Sequence, residues 1–244
     1  MLSIYWKEIN SFFSSLIAYI VIAVFLIMTG LFMWVFTETS ILDYNYATLD
    51  QLFSIAPIVF LFLIPAVTMS TFAEEKQTGT IEFLATKPIS DLSIVLGKYF
   101  ANFTLVLFAL LPTLIYYYSV HTLGSPPGNL DTGGILGSYI GLSLLAAVFV
   151  AIGMWTSSLT DNQIVAFVMG AFVCFFCHWA FTFLAKLPIF TGSLDSMISK
   201  MGINYHYSSI SRGVLDSRDI IYFISMIIVF LMATHTAITW RKSN

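Results

Sequence analysis

The chain has 244 residues, of which 58% are hydrophobic and only 9% are charged, and its formal net charge is -3. Soluble globular domains are roughly 45 to 50% apolar and about 25% charged, so this composition excludes a soluble globular protein and predicts that lipid surrounds most of the chain. The small negative charge, with no basic run longer than Arg241-Lys242, excludes nucleic acid as a partner.

The first fifteen residues, 1–15, predict an amphipathic helix that lies in the membrane interface. Apolar and polar side chains separate onto two faces at helical spacing. The apolar face contains Leu2, Tyr5, Trp6, Ile9, Phe12 and Phe13, and the polar face contains Ser3, Lys7, Glu8, Asn10, Ser11 and Ser14. No small-residue cleavage site follows, so we expect the first apolar run to remain as a membrane anchor.

Six apolar segments are long enough to cross a membrane as helices. A helix rises about 1.5 Å per residue, so about 20 apolar residues span a hydrocarbon layer of ~30 Å. The predicted spans are 16–36, 51–72, 99–120, 135–157, 164–185 and 220–240, and none contains Asp, Glu, Lys or Arg. A membrane β-barrel would show alternating segments of about ten residues, so the sequence predicts an all-α membrane protein of one domain, 1–244. Pro57 and Pro65 interrupt the helical hydrogen bonding of the second span and predict a bend there.

The positive charges favour a cytoplasmic position for both termini. With six spans, this orientation places Lys7, Lys76, Lys87, Lys98, Arg241 and Lys242 inside, and Lys186, Lys200, Arg212 and Arg218 outside. All four outer positive charges fall in one loop, 186–219, and the other two outer loops have no Lys or Arg. In that loop Leu194, Met197, Ile198 and Met201 recur at helical spacing and predict a short outer helix before the last span.

A polar segment, 73–98, connects the second and third spans on the cytoplasmic side. Glu74 to Thr80 is polar with a bend at Gly79, and Ile81 to Thr86 predicts a short helix that Pro88 ends. Ser90-Asp91 supplies an N-cap and a first-turn negative charge for the third span. We expect a short coupling helix held crosswise between the two spans. Its apolar side chains are Ile81, Phe83 and Leu84. These side chains require cover from a partner or from the lipid interface.

Two histidines lie inside predicted spans. Cys174, Cys177 and His178 match the C-x-x-C-H pattern of covalent haem attachment, but haem attachment requires a chain presented to water, so the mid-span position favours helix packing. One pair of thiols with one histidine is also a poor closed metal site. His235 is a candidate functional group by its depth, although the lack of Asp or Glu in any span favours a neutral, hydrogen-bonded imidazole.

Two further patterns concern packing and the outer surface. Gly133, Gly137 and Gly141 recur every four residues on one face of the fourth span, which lets two backbones approach closely, either within the subunit or between two subunits. Arg212 and Asp216 stand four residues apart before the last span. A solvated helix face is favoured there over an outer gate or a partner contact.

The sequence contains no pattern typical of catalysis, nucleotide binding or metal binding. Gly97-Lys98 lacks both the earlier glycine and the following Ser or Thr of a P-loop. A nucleophile elbow and a spaced set of metal ligands are absent as well. We therefore expect no catalytic, cofactor-binding or metal-binding residue in this chain.

The polar segment carries a resemblance to a known family. Its residues Glu75-Lys76-x-x-Gly79-Thr80-Ile81-Glu82-Phe83-Leu84-x-Thr86-x-Pro88-Ile89-Ser90, followed by Val95-Leu96-Gly97-Lys98, resemble the signature of ABC-2 type transporter permeases. Stretches at 63–69, 110–114, 137–142, 161–167 and 209–216 resemble one branch of that family, the gliding-motility-associated permease of the GldF type.

The resemblance implies a six-helix permease subunit without an ATPase of its own, in the inner membrane of a bacterium. Its implied partners are two copies of a cytoplasmic ABC ATPase, which hold ATP and Mg, and a second permease-like subunit, with membrane lipid around them. The residues implied to couple the permease to the ATPase are Glu74, Glu75, Lys76, Gly79, Thr80, Ile81, Glu82, Phe83, Leu84 and Pro88.

Two alternative functions are weighed against the ATP-driven permease. A secondary transporter or channel would need ionisable groups or a polar pore face within the membrane, whereas the spans offer mainly Ser, Thr and two histidines. A non-transporting anchor, through which an ABC ATPase drives assembly or mechanical work on an envelope machine, is not separated from an exporter by the sequence.

Overall fold

A computed structural model describes residues 1–44, 47–80, 90–188 and 194–243 of the chain. Within these ranges every regular element is a helix. Six helices there are long and apolar enough to cross a membrane, and we number them as spans 1 to 6: Leu16–Trp34, Asp50–Gln77, Asp91–Leu123, Thr132–Leu159, Gln163–Ala185 and Ser217–Trp240. The predicted all-α architecture with six membrane-spanning helices is confirmed.

Several helices extend past the boundaries that hydropathy predicts. The sequence predicts 51–72 for span 2 and 99–120 for span 3, but the helices run on to Gln77 and begin already at Asp91. Polar side chains near these two ends bond to neighbouring helices, so the helices continue where hydropathy falls. Ser90 caps span 3 as predicted, because its hydroxyl accepts a hydrogen bond from the Ser93 amide at 3.4 Å.

Proline and a π segment interrupt the regular hydrogen bonding of three spans. Span 2 contains Pro57 and Pro65 within Asp50–Thr68, breaks at Met69, and resumes as Ser70–Gln77. Span 3 runs as Asp91–Leu110, a 3-10 turn Leu111–Thr113 and Leu114–Leu123. Span 5 runs as Gln163–Phe175, a π segment Phe176–Ala180 and Phe181–Ala185.

Span 4 forms the centre of the bundle. Its residues 145–152 are buried without interruption, and it packs against spans 2, 3, 5 and 6. A helix that is apolar and covered on all sides is typical of a bundle core. Spans 1, 5 and 6 instead leave most of their apolar surface uncovered within the chain.

The N-terminal helix, Leu2–Ser14, packs across the start of span 3. Ile4 and Ile9 are buried, while Leu2 and Trp6 of the predicted apolar face are exposed. Glu8, which the sequence places on the polar face, has only 13% of its side chain exposed because it pairs with a lysine of span 3. The division into two faces is therefore wrong at Glu8, since charge pairing outweighs hydropathy at that position.

Short helices lie between spans 5 and 6, at the end of the bundle that the sequence predicts to be outer. Asp195–Ser199 coincides with the predicted outer helix, and a second outer helix covers Ile203–Ile210. The hydroxyl of Tyr207 in this second helix donates a 2.7 Å hydrogen bond to the Phe53 carbonyl of span 2. Pro57 has no amide hydrogen for that carbonyl, so Tyr207 replaces the missing bond of the helix. Burial raises the pKa of Tyr207 above its ordinary value.

Candidate functional site

A polar cluster surrounds the last two turns of span 2, Ser70–Gln77, which we call the junction helix. The Ser157 hydroxyl of span 4 accepts hydrogen bonds from the amides of Phe72 and Ala73 at 3.0 and 3.1 Å. The same hydroxyl lies 2.7 Å from the Met69 carbonyl, to which it donates. These bonds satisfy backbone groups that the break at Met69 leaves without helical partners. Span 4 therefore holds the start of the junction helix in place.

Lys98 of span 3 is the charged centre of the cluster, with only 2% of its side chain exposed. Its ammonium donates to the Glu75 carboxylate at 2.8 Å, to the Glu8 carboxylate at 3.1 Å and to the Thr71 carbonyl at 2.9 Å. A lysine ammonium has three N–H donors, so each of them has an acceptor here. One buried lysine thereby connects span 3 to the junction helix and to the N-terminal helix.

The two carboxylates that face Lys98 are shared with a second lysine. Lys7 lies 3.7 Å from both Glu8 and Glu75, and 62% of its side chain is exposed. Glu75 and Glu8 are only 14% and 13% exposed, so the buried Lys98 is their main counter-charge. Within the described part of the chain, the second oxygen of Glu75 is buried without a hydrogen-bond partner. The cluster thus holds two carboxylates and two ammonium groups in a partly buried network.

Further polar contacts connect the junction helix to its neighbours. Lys76 is buried and donates to the Ser158 carbonyl at the end of span 4. Asn102, one turn after Lys98, donates to the Thr71 hydroxyl at 3.2 Å and to the Lys98 carbonyl at 2.9 Å. The junction helix is therefore bonded to span 3, to span 4 and to the N-terminal helix.

A groove of about 480 Å³ opens between the N-terminal helix and the junction helix. Lys7, Ser11, Glu74 and Thr80 are among the residues that line it. The junction helix ends at a bend where Gly79 has a φ of +71°, a value that glycine adopts without strain. The predicted bend at Gly79 is therefore confirmed.

The predicted coupling residues divide into two groups in the structure. Glu74 and Thr80 are exposed at the groove, whereas Glu75 and Lys76 are bonded within the chain. The predicted crosswise helix, with Ile81, Glu82, Phe83, Leu84 and Pro88, lies outside the described residues. A role of any of these residues in contacting another subunit stays a prediction.

Sequence reasoning missed four members of the cluster: Glu8, Lys98, Asn102 and Ser157. The prediction treats Lys98 as the end of a span, although the helix begins seven residues earlier at Asp91. The Lys98 and Asn102 pair, four residues apart in an apolar helix, was an available signal, because polar groups in such a helix require partners. Ser157 carried no such signal, since Ser and Thr are frequent throughout these spans.

The glycines of span 4 differ in what they face. A Cβ at Gly137 would lie 2.8 Å from the Gly213 carbonyl oxygen, and one at Gly141 would overlap Ile210 of the second outer helix. A Cβ at Gly133 would have only Asp131 nearby, at 3.5 Å. Close packing within the chain thus accounts for Gly137 and Gly141, and pairing with a second subunit stays a prediction.

Arg212 and Asp216 form no ion pair among the described residues. The Arg212 side chain donates from Nε to the Ser208 carbonyl at 3.0 Å, and Asp216 accepts from the Arg218 amide at 2.9 Å. Arg212 lies in a turn after the second outer helix, so the two residues do not share a helix face.

The cysteines and membrane histidines are packed among helices. Cys174 is a buried free thiol and Cys177 is a partly buried one. The His178 ring lies in the π segment, 4.2 Å from the Trp179 ring between centroids, and its Nδ1 is buried without a partner among the described residues. His235 is partly buried in span 6. Across the described ranges, no group of three or more His, Cys, Asp or Glu side chains could hold a metal ion.

Comparison with known families identifies the chain. The family described as ABC-2 family transporter protein matches residues 36–234, which cover spans 2 to 5, most of span 6 and the whole segment between spans 2 and 3. Comparison with curated proteins gives no match. The match extends over most of the chain, and the protein therefore belongs to the ABC-2 transporter family as a membrane subunit of the permease type.

Proposed function

We propose that this chain is the permease subunit through which a separate ABC ATPase drives an ABC-2 transporter, and that the junction helix receives the movement. The observation that carries the proposal is the attachment of Ser70–Gln77 to three other elements by Lys98, Ser157 and Lys76. Family membership supplies the class of protein. The polar contacts supply a physical route by which movement of the junction helix reaches the other helices of the bundle.

The route follows from the geometry of the junction helix. A force applied near Thr78–Thr80 acts on a helix that continues span 2. Because Lys98 and Ser157 bond to that helix, spans 3 and 4 move with it unless these bonds break. Glu8 adds the N-terminal helix to the same unit. An ATPase that displaces the bend thus moves several spans together and alters the surface that they present to another subunit.

The contact surface for the ATPase is proposed to be the exposed end of the junction helix with the segment that follows it. Glu74 and Thr80 are exposed there, and the sequence continues with Ile81, Glu82 and Phe83. The apolar residues would fill a groove of the ATPase, and the acidic residues would meet basic side chains around that groove. The resemblance supports two ATPase copies that hold ATP and Mg, and a second permease-like subunit that completes the membrane domain.

The proposal also covers the membrane in which the protein lies and the task that ATP hydrolysis drives. The resemblance supports the inner membrane of a bacterium as the location. The positive charges support cytoplasmic termini, which puts the junction on the side where ATP is available. The GldF-type stretches support membership of a gliding-motility-associated complex that performs export or envelope work. ATP turnover of the complex distinguishes these tasks, since a transported lipid or peptide would stimulate an exporter, whereas only an envelope protein would stimulate a mechanical anchor.

The test uses complexes purified from the native host through a tag on this chain. Phe83→Ala and Glu82→Lys should each lower the amount of co-purified ATPase or its coupled turnover by about tenfold, which corresponds to ~1.4 kcal/mol. Matched controls are Phe183→Ala at the outer end of span 5 and Glu38→Lys between spans 1 and 2, and both should leave coupling unchanged. Normal ATPase recovery and normal turnover in both Phe83→Ala and Glu82→Lys would refute the assignment.

A further inference from the structure

A second polar groove, of about 390 Å³, lies on the outer side between the second outer helix and the start of span 6. Lys200, Arg212 and Arg218 line it and contribute three positive charges. Tyr205, Ser208 and Ser209 line the same groove. Cationic and hydroxyl-bearing side chains thus lie together at the opposite end of the bundle from the junction helix.

His206 and Asp219 form the inner wall of the groove. The Nδ1 atom of His206 lies 2.7 Å from the Asp219 carboxylate, and Nε2 lies 2.9 Å from the Lys200 carbonyl. Both neighbours are acceptors, so both contacts are hydrogen bonds when the ring carries two protons. The ring also stacks on Tyr222 with 3.9 Å between centroids. Asp219 is thereby bonded to His206 and forms no ion pair with the lysine or the arginines among the described residues.

The three cations of the groove form no ion pair with a carboxylate in the part of the chain that the structure describes. Arg212 donates from its Nε to the Ser208 carbonyl, and among the described residues its two terminal nitrogens form no side-chain ion pair. Asp216 is the remaining carboxylate of the groove, and it accepts from the Arg218 backbone amide. With three cationic side chains against the two carboxylates of Asp216 and Asp219, the groove has a net charge of +1 when His206 is counted as neutral.

Apolar side chains are exposed beside the groove. Leu194, Met197 and Met201, in and around the first outer helix, are all at least half exposed. Exposed apolar residues next to clustered cations are typical of segments that lie in a membrane interface. The same arrangement would be unfavourable in open water, where these side chains would have no cover.

We infer that this groove binds the phosphate of an anionic phospholipid headgroup. Arginine binds phosphate oxygens through paired N–H donors, and Arg212 and Arg218 are suited to this contact. The lipid tails would then cover the exposed methionines and the adjacent surface of span 6. A zwitterionic lipid is disfavoured because its own cation would meet a groove whose net charge is already positive.

The experiment measures lipid binding to the detergent-purified protein by native mass spectrometry. Phosphatidylglycerol and phosphatidylcholine are titrated separately, and inorganic phosphate is added as a competitor in a third series. Arg218→Gln should weaken phosphatidylglycerol binding by about tenfold, as expected for loss of a charge-assisted contact. The matched control is Lys186→Gln, which removes one outer charge away from the groove and should change binding by less than twofold.

Three results would overturn the inference. Equal affinity for the two lipids would exclude recognition of the anionic headgroup. Displacement of phosphatidylglycerol by millimolar inorganic phosphate would assign the groove to a free anion instead. Equal effects of Arg218→Gln and Lys186→Gln would mean that only the overall charge matters. The double variant Arg212→Gln, Arg218→Gln, checked for a normal size-exclusion profile, should abolish the preference for phosphatidylglycerol.

Discussion

Replacement of Lys98 by methionine is the most direct test of the junction. The side chain keeps its length and loses its charge, so Glu8 and Glu75 remain partly buried without their main counter-charge. Removing one partner of a buried ion pair destabilises a protein by roughly 3 to 5 kcal/mol. The carboxylates are 13% and 14% exposed, so water reaches them in part and we expect the lower end, about 3 kcal/mol.

The geometry supports a value of this size. Across 2.8 Å, the Lys98–Glu75 attraction is ~6 kcal/mol at an effective dielectric constant of about 20. Desolvation of the buried ammonium offsets several kcal/mol of that attraction. For a domain of this size, each kcal/mol corresponds to about 2 to 4 °C in Tm, so Lys98→Met should lower Tm by about 6 to 12 °C.

The assay is thermal unfolding of the detergent-purified protein, followed by the loss of the monodisperse size-exclusion peak. Lys7→Met is the matched control, because Lys7 meets the same carboxylates at 3.7 Å but is 62% exposed. An exposed pair contributes roughly 0 to 1 kcal/mol, so this control should shift Tm by less than about 4 °C. The triple variant Lys98→Met, Glu8→Gln, Glu75→Gln should recover at least half of the loss. Equal shifts for Lys98→Met and Lys7→Met would refute the reasoning, as would a triple variant less stable than Lys98→Met.

Three further substitutions are tested by the same thermal assay. Ser157→Ala removes the hydrogen-bond acceptor of two backbone amides and should lower the free energy of unfolding by about 1 to 3 kcal/mol. Its control is Ser143→Ala, which should be near neutral because the Ser143 hydroxyl bonds only within its own helix. Gly141→Ala places a methyl group against Ile210 and should destabilise by roughly 1 to 3 kcal/mol, and a Tm equal to that of the unmodified protein would contradict the close packing. Tyr207→Phe leaves the Phe53 carbonyl without its donor and should cost about 1 to 3 kcal/mol, with Tyr205→Phe as the exposed control.

The spans were predictable because a single physical rule governs them. Crossing the hydrocarbon layer requires about 20 apolar residues, and each predicted span lies largely inside one observed helix. Helix ends were less predictable, since they depend on partners distant in sequence. Ser70–Gln77 remains helical because Ser157 and Lys98 bond to it, and those residues follow it by more than 20 positions.

The site was only partly predictable for the same reason. Hydropathy placed Glu8 on a solvated face and Lys98 at the end of a span, yet the structure brings the two within 3.1 Å. Periodicity describes one helix at a time and contains no information about a charge on another helix. Gly79 and Ser90 were predicted correctly, because a positive φ and an N-cap are local requirements.

The two ends of the bundle are held by different kinds of contact, and this difference determines where a displacement begins. At the junction, the long side chain of Lys98 reaches three acceptors, so a shift of the junction helix is passed on to span 3 and to the N-terminal helix while these bonds hold. At the opposite end, Gly137 approaches the backbone of Gly213, and such backbone contacts have no side chain that could follow a movement. A push on the junction helix is therefore expected to displace the lysine cluster as one unit while the glycine contact at the opposite end stays closed. The destabilised Lys98→Met variant should then lose coupling to the ATPase before it loses the outer packing.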